Sequence, residues 1–83
     1  MGRTEAVDRV LEAGDGRVVA IEVKASATPE KRDMRGLEFL RDELGPRFVR
    51  GILLYTGEQT LPFGDRTWAM PVDALWRWGA KVA

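Results

Sequence analysis

Residues 17–26, Arg-Val-Val-Ala-Ile-Glu-Val-Lys-Ala-Ser, constrain the fold of this chain more than any other stretch. Val18, Val19, Ile21 and Val23 form a β-branched apolar run, a composition typical of a strand that is buried on at least one face. Glu22 and Lys24 interrupt the apolar run. Because side chains two residues apart project from the same face of a strand, this carboxylate and this ammonium should lie side by side. Charges on an apolar strand are costly unless they are paired, bind a metal or reach solvent, so the stretch predicts a central strand that carries a polar site.

This strand is predicted to be the second arm of a β-hairpin. Residues 5–12 carry Val7, Val10 and Leu11 with polar residues between them, a pattern that alone could also form a short helix. The Ala-Gly-Asp-Gly sequence that follows is a turn signal between two apolar runs and favours a strand. If Glu12 pairs with Val18, Asp8 lies opposite Glu22 and the two carboxylates share one face of the sheet. A shift of one residue would turn Asp8 to the other face. We expect the first of these registers.

The middle of the chain predicts a parallel crossover. Residues 29–44 carry apolar side chains at three- and four-residue steps, which indicates a helix, with Thr28 as its N-cap and Gly45 at its end. Residues 47–55 include three consecutive apolar residues, as expected of a strand covered on both faces. The order strand, helix, strand implies a right-handed crossover.

The last part of the chain predicts a short edge strand at residues 67–70, because Pro62 and Gly64 interrupt anything longer. Pro71 can open a final helix. The fold class predicted for residues 1–83 is therefore α/β, in one domain, with a small mixed sheet built from an antiparallel hairpin and a right-handed strand–helix–strand crossover.

Composition limits the chemistry that such a domain can perform. The 83 residues include no histidine and no cysteine, which excludes imidazole acid–base chemistry, thiolate zinc sites and disulfides. Thirteen basic and thirteen acidic side chains cancel, so the overall charge does not favour nucleic acid. The carboxylates that remain suit a hard cation such as Mg²⁺. Since the sequence shows neither a membrane-length apolar run nor a signal peptide, we expect a cytoplasmic protein without a membrane partner.

The residues alone leave two interpretations of the polar site open. In the first, Asp8 and Glu22 bind Mg²⁺, the Val23 carbonyl is a third ligand, and Lys24 steadies a water molecule or a phosphate, which together would support phosphodiester hydrolysis. In the second, Glu22 and Lys24 form an ordinary ion pair on a solvated strand face. A Glu-x-Lys sequence is frequent by chance, and only its place on a buried strand favours the first interpretation.

Two further groups of side chains each have a functional and a structural interpretation. The basic residues of the predicted helix could contact phosphates, but the acidic residues interleaved with them favour a salt-bridged, solvated face. These basic residues are Lys31, Arg32, Arg35 and Arg41. Trp68 and Trp76 are more typical of a core than of a base-stacking surface, whereas Trp78 could mark a contact with a partner.

The hairpin resembles the core of the PD-(D/E)xK nuclease superfamily, which includes restriction endonucleases and archaeal Holliday-junction resolvases. The resemblance rests on Val-Asp-Arg-Val-Leu-Glu, a glycine turn, and Arg-Val-Val-Ala-Ile-Glu-Val-Lys-Ala-Ser. It implies a restriction-endonuclease-like core that lacks its first helix. It also implies that Asp8 and Glu22 hold Mg²⁺, that Lys24 acts at the scissile phosphate, and that DNA is the substrate.

Nearly the whole chain is similar to the C-terminal domain of unknown function that follows a P-loop AAA-type ATPase in many bacterial and archaeal proteins. This similarity extends over residues 48–57, 61–64 and 70–76. The chain contains no phosphate-loop sequence, so it is not itself the ATPase. The resemblance implies a piece of a longer protein whose N-terminal ATPase domain is a partner. It leaves a second function open, that of a non-catalytic regulatory or docking domain attached to the ATPase.

Overall fold

A computed structural model of the chain describes residues 7–73, which form a five-stranded mixed sheet and one α-helix. The strands are β1 (Arg9–Glu12), β2 (Val18–Val23), β3 (Phe48–Tyr55), β4 (Leu61–Gly64) and β5 (Thr67–Pro71), in the spatial order β1-β2-β3-β5-β4. The helix α1 (Arg35–Leu44) follows a 3-10 turn (Lys31–Met34) and connects β2 to β3. The predicted α/β class with a mixed sheet is confirmed.

Strands β1 and β2 form the predicted antiparallel hairpin in the predicted register. Glu12 pairs with Val18 and Arg9 pairs with Ile21. The first arm is shorter than the stretch of residues 5–12, because the ladder ends at Arg9 and Asp8 lies in a bend. Because β1 begins only at Arg9, no backbone within residues 7–73 pairs with the last part of β2 on that side.

The crossover from β2 to β3 is parallel, as predicted. The 3-10 turn and helix α1 pack on one face of the sheet, where Met34 of the turn and Leu37 of the helix are fully buried. They meet Ala20 of β2 and Leu53 of β3 in the main core. The predicted end of the helix is also confirmed, since Gly45 caps α1 with a positive φ of 57°.

The start of the helical segment differs from the prediction, in which Thr28 was the N-cap. Thr28 instead donates its backbone N–H to the hydroxyl of Ser26 at 3.1 Å, a local bond that keeps the chain in a turn. The helical segment begins later, with Glu30 as its N-cap. Asp33 Oδ2 accepts the N–H of Glu30 at 2.8 Å, which is one half of a capping box between these two residues.

The strand that was predicted at the edge of the sheet is an interior strand. β5 is parallel to β3 on one side and antiparallel to β4 on the other. The edge belongs to β4, which contains Pro62. Proline is tolerated in an edge strand, so Pro62, which is predicted to interrupt a strand, instead lies within the edge strand.

The predicted final helix begins at the boundary of the described region. Val72 and Asp73 are helical, and the rest of that prediction, with Trp76 and Trp78, lies outside the described residues. Among the residues that are described, no helix is long and apolar enough to cross a membrane.

Candidate functional site

The candidate site lies at the N-terminal end of β1, beside the C-terminal end of β2. Asp8 Oδ2 accepts the backbone N–H of Val23 at 2.7 Å. The next N–H along the chain, that of Lys24 just after β2, donates to the Leu54 carbonyl of β3 at 2.8 Å, so the N–H of Val23 points to the opposite side, toward the hairpin. The Asp8 side chain therefore continues the hairpin ladder beyond Arg9, and this hydrogen bond fixes the carboxylate next to β2.

Glu22 is half-buried beside Asp8, and its Oε1 atom is buried without a hydrogen-bond partner among the described residues. Burial raises the pKa of Glu22, the negative charges of Asp8 and Asp33 raise it further, and Lys24 lowers it in part. The structure thus brings Asp8 and Glu22 together, as the register predicted. A buried carboxylate oxygen without a donor is unfavourable, and either a proton or a cation would relieve it.

Lys24 pairs with Asp33 rather than with Glu22. Its Nζ lies 3.1 Å from Asp33 Oδ1, and the two side chains are 34% and 13% exposed. Burial raises the pKa of Asp33, but the hydrogen bond from Glu30 and the charge of Lys24 outweigh it, and the pKa lies below its ordinary value. Asp33 is therefore held in its charged form between the end of β2 and the start of the helical segment.

Asp33 is a site residue that the sequence analysis missed, because it was grouped with the acidic side chains of the helix. One feature of the sequence does indicate that Asp33 lies near the site. The spacing of Glu30 and Asp33 is that of an N-cap and its third helical residue, which indicates where the helix starts. A helix that starts a few residues after β2 must place its first turn near the end of that strand, and hence near Lys24.

The donor set fits a hydrated Mg²⁺ ion better than a fully protein-bound metal. Across residues 7–73, no group of three or more acidic side chains is arranged to hold a metal ion. Asp8 and Glu22 would therefore supply two ligands, with water, a phosphate or the Val23 carbonyl in the other positions. Mg²⁺ usually keeps several waters and takes one or two carboxylates, so two are sufficient.

The face of the sheet opposite α1 carries an apolar groove with a volume of about 660 Å³. Val19, Ile21 and Ile52 line it, since they alternate along their strands with the residues that face the helix. Leu11 of β1 and Arg50 of β3 lie at the same groove. Leu11 is 51% exposed.

The basic residues of the helical segment largely agree with the predicted solvated face. Arg32 pairs with Glu30 at 2.8 Å, and Arg41 pairs with Asp42 at 3.1 Å. Lys31 approaches Glu38 at 3.8 Å. The exposed pairs of Arg32 and Lys31 contribute little to stability and leave few free charges for phosphate groups. Arg41 differs from the prediction, because its side chain is only 19% exposed and also donates a hydrogen bond to the Asp65 carbonyl.

The fold and the site together define a small α/β domain with a carboxylate and lysine cluster at the open end of its hairpin. The chain belongs to the family described as a domain of unknown function (DUF4143), whose model matches residues 2–75. That family is associated with AAA-ATPase-type proteins, in agreement with the resemblance noted in the sequence. No curated protein and no solved structure matches the chain.

Proposed function

We propose that this domain binds Mg²⁺ at Asp8 and Glu22 and uses the site to bind a DNA phosphodiester and hydrolyse it, as PD-(D/E)xK nucleases do. The observation that supports the proposal is the buried Oε1 of Glu22, which has no hydrogen-bond donor among the described residues and lies beside a second carboxylate. Two neighbouring carboxylates repel each other and are best neutralised by a divalent cation.

Each side chain of the site has a distinct role in the proposed reaction. Asp8 is already oriented by the N–H of Val23, and Glu22 adds the second carboxylate. Mg²⁺, when bound, would act as a Lewis acid toward the phosphate. Lys24 projects from the same face of β2 as Glu22, and its partly exposed ammonium can donate hydrogen bonds to a non-bridging phosphate oxygen.

A metal titration followed by NMR tests the cation site. We expect saturable shifts at Asp8, Glu22 and Val23 at millimolar Mg²⁺ or Mn²⁺, and we expect Glu22→Gln to abolish them. Glu43→Gln is the matched control, because it removes one exposed negative charge from the far end of α1. Equal loss of the shifts in both variants, or no saturable shift in the unsubstituted chain, would contradict a specific site.

A cleavage assay on single- and double-stranded DNA tests the phosphodiester step. We expect Mg²⁺-dependent cleavage that Lys24→Met reduces about 100-fold or more, the usual effect of removing one donor to a charged transition state. Metal affinity should remain within a few-fold of that of the unsubstituted chain. Metal binding without any cleavage would limit the proposal to a cation-dependent DNA-binding domain.

The apolar groove favours a second candidate function, that of a docking domain for the ATPase-type region of a longer protein. The chemistry of the groove indicates an apolar segment flanked by acidic side chains as the occupant. The lining is apolar around Ile21 and Ile52, and Arg50 lies at the groove without an ion-pair partner among the described residues.

Binding of the purified ATPase-type region to this chain would test the docking function. We expect Arg50→Glu to weaken binding at least tenfold through charge repulsion, an effect that declines as salt is added. Arg35→Glu is the matched control, because Arg35 is exposed at the start of α1, which packs on the other face. Unchanged binding of Arg50→Glu would exclude this groove as the docking surface.

A further inference from the structure

Lys24 is close to two carboxylates and contacts only one of them. Glu22 precedes it by two residues on the same face of β2, which makes it the local partner. The contact at 3.1 Å is nevertheless with Asp33, from a different element. Glu22 Oε1, which the lysine would otherwise satisfy, is left buried and without a donor among the described residues.

We infer that Asp33 is a positioning residue that holds Lys24 away from Glu22, and that it thereby keeps the Glu22 carboxylate open for a cation. This inference rests on the proposed function for its purpose, although the contact itself does not depend on a metal. We call this contact between Asp33 and Lys24 the tether.

Asp33 can act as a tether because its own position is fixed before the lysine arrives. Its Oδ2 accepts the N–H of Glu30 at 2.8 Å, which leaves Oδ1 for the ammonium of Lys24. The next residue, Met34, is fully buried in the core and anchors the turn. A flexible lysine loses less entropy in pairing with a carboxylate that is already ordered than with one that must be ordered at the same time.

The tether explains how Asp8, Glu22 and Lys24 can share one site without an ion pair forming between Lys24 and Glu22. If Lys24 were released, it would bind Glu22, and an incoming cation would have to displace it. The same contact keeps the ammonium at the rim of the site, where it is partly exposed and can reach a phosphate.

A double-mutant cycle on metal affinity tests the tether. Asp33→Asn retains an oxygen for the Glu30 N–H and removes the charge that holds Lys24. We expect it to weaken Mg²⁺ binding about tenfold, the equivalent of one moderate ion pair. In the Lys24→Met background the same substitution should change Mg²⁺ affinity by less than about threefold, because no lysine remains to block Glu22. An equal loss in both backgrounds would show that Asp33 acts through its own charge, and it would overturn the inference.

A metal-free measurement separates the tether from the proposed function. In the native background, Glu22→Gln removes an unpaired charge and should raise the urea midpoint of unfolding. In the Asp33→Asn background, it removes the new partner of Lys24 and should lower that midpoint. A shift of the same sign in both backgrounds overturns the inference. A reversal of sign in a chain that shows no saturable Mg²⁺ response would refute the cation site while the tether stands.

Discussion

Glu22 and Asp33 belong to one site, yet their protonation affects stability in opposite directions. The pKa of Glu22 is raised in the folded chain, by burial first and then by its acidic neighbours, so its contribution to stability is lost as pH rises through that pKa. The pKa of Asp33 is lowered by its hydrogen bond and by Lys24, despite burial, so its contribution is lost as pH falls through that pKa. When no cation is bound, the site therefore lowers the stability of the folded chain least in mildly acidic solution.

Replacement of Glu22 tests this balance at neutral pH. We expect Glu22→Gln to raise the free energy of unfolding at pH 7 by about 1 kcal/mol, the cost of an unsatisfied buried group. The gain should shrink as the pH falls toward 4.5, the ordinary pKa of Glu22, because Glu22 of the folded native chain then becomes neutral. Urea unfolding at several pH values measures the difference. A gain that does not vary with pH would show that shape rather than charge is responsible.

At the scale of elements, helix α1 packs closely on β3 at Gly51. A Cβ atom there would lie 2.8 Å from Phe48 Cζ and 3.2 Å from Leu37 Cβ, both in the buried core. We expect Gly51→Ala to lower the free energy of unfolding by about 2 kcal/mol through overpacking. Gly14→Ala is the control, because a Cβ atom at Gly14 meets nothing within 4 Å, and it should change stability by less than about 0.5 kcal/mol. A Gly51→Ala variant of native stability would mean that helix and strand can separate at little cost.

The elements also show which parts of the fold could be predicted from the sequence. The pairing of Glu12 with Val18 was predictable because the length of the turn between the two arms is a local property, and it brought Asp8 to Glu22. The spatial order of the strands was not, because the placement of β5 between β3 and β4 depends on contacts that are distant in sequence.

The start of the helical segment marks the limit of prediction within the site. Several polar residues between Ser26 and Asp33 could cap a helix, and their capping energies differ by about 1 kcal/mol or less. N-cap preferences alone do not distinguish these residues, and the prediction of Thr28 as the N-cap is wrong. Because the contact of Lys24 with Asp33 depends on where this turn begins, the wrong N-cap also hid the tether, although the spacing of Glu30 and Asp33 carried the signal.

At the scale of the whole molecule, the two edges of the sheet are protected unequally. The β4 edge contains Pro62, which has no N–H to offer to another strand. On the β1 edge every residue is exposed, and Val10 and Leu11 are 48% and 51% exposed. The chain has no net charge at pH 7 and an isoelectric point of about 6.2, so charge repulsion between molecules is weak near neutrality.

These features predict that the isolated domain self-associates through β1, most strongly near pH 6. Val10 and Leu11 form a matched pair for testing this, because both lie on the edge strand but only Leu11 lines the groove. A lysine at either position should oppose strand addition, since charged side chains protect exposed edges. We expect Val10→Lys and Leu11→Lys to reduce association to a similar extent in sedimentation measurements at pH 6 and pH 8, with stability changed by less than about 0.5 kcal/mol. If only Leu11→Lys reduces association, the groove rather than the strand edge is the contact surface, and self-association would then compete with the docking function proposed for that face.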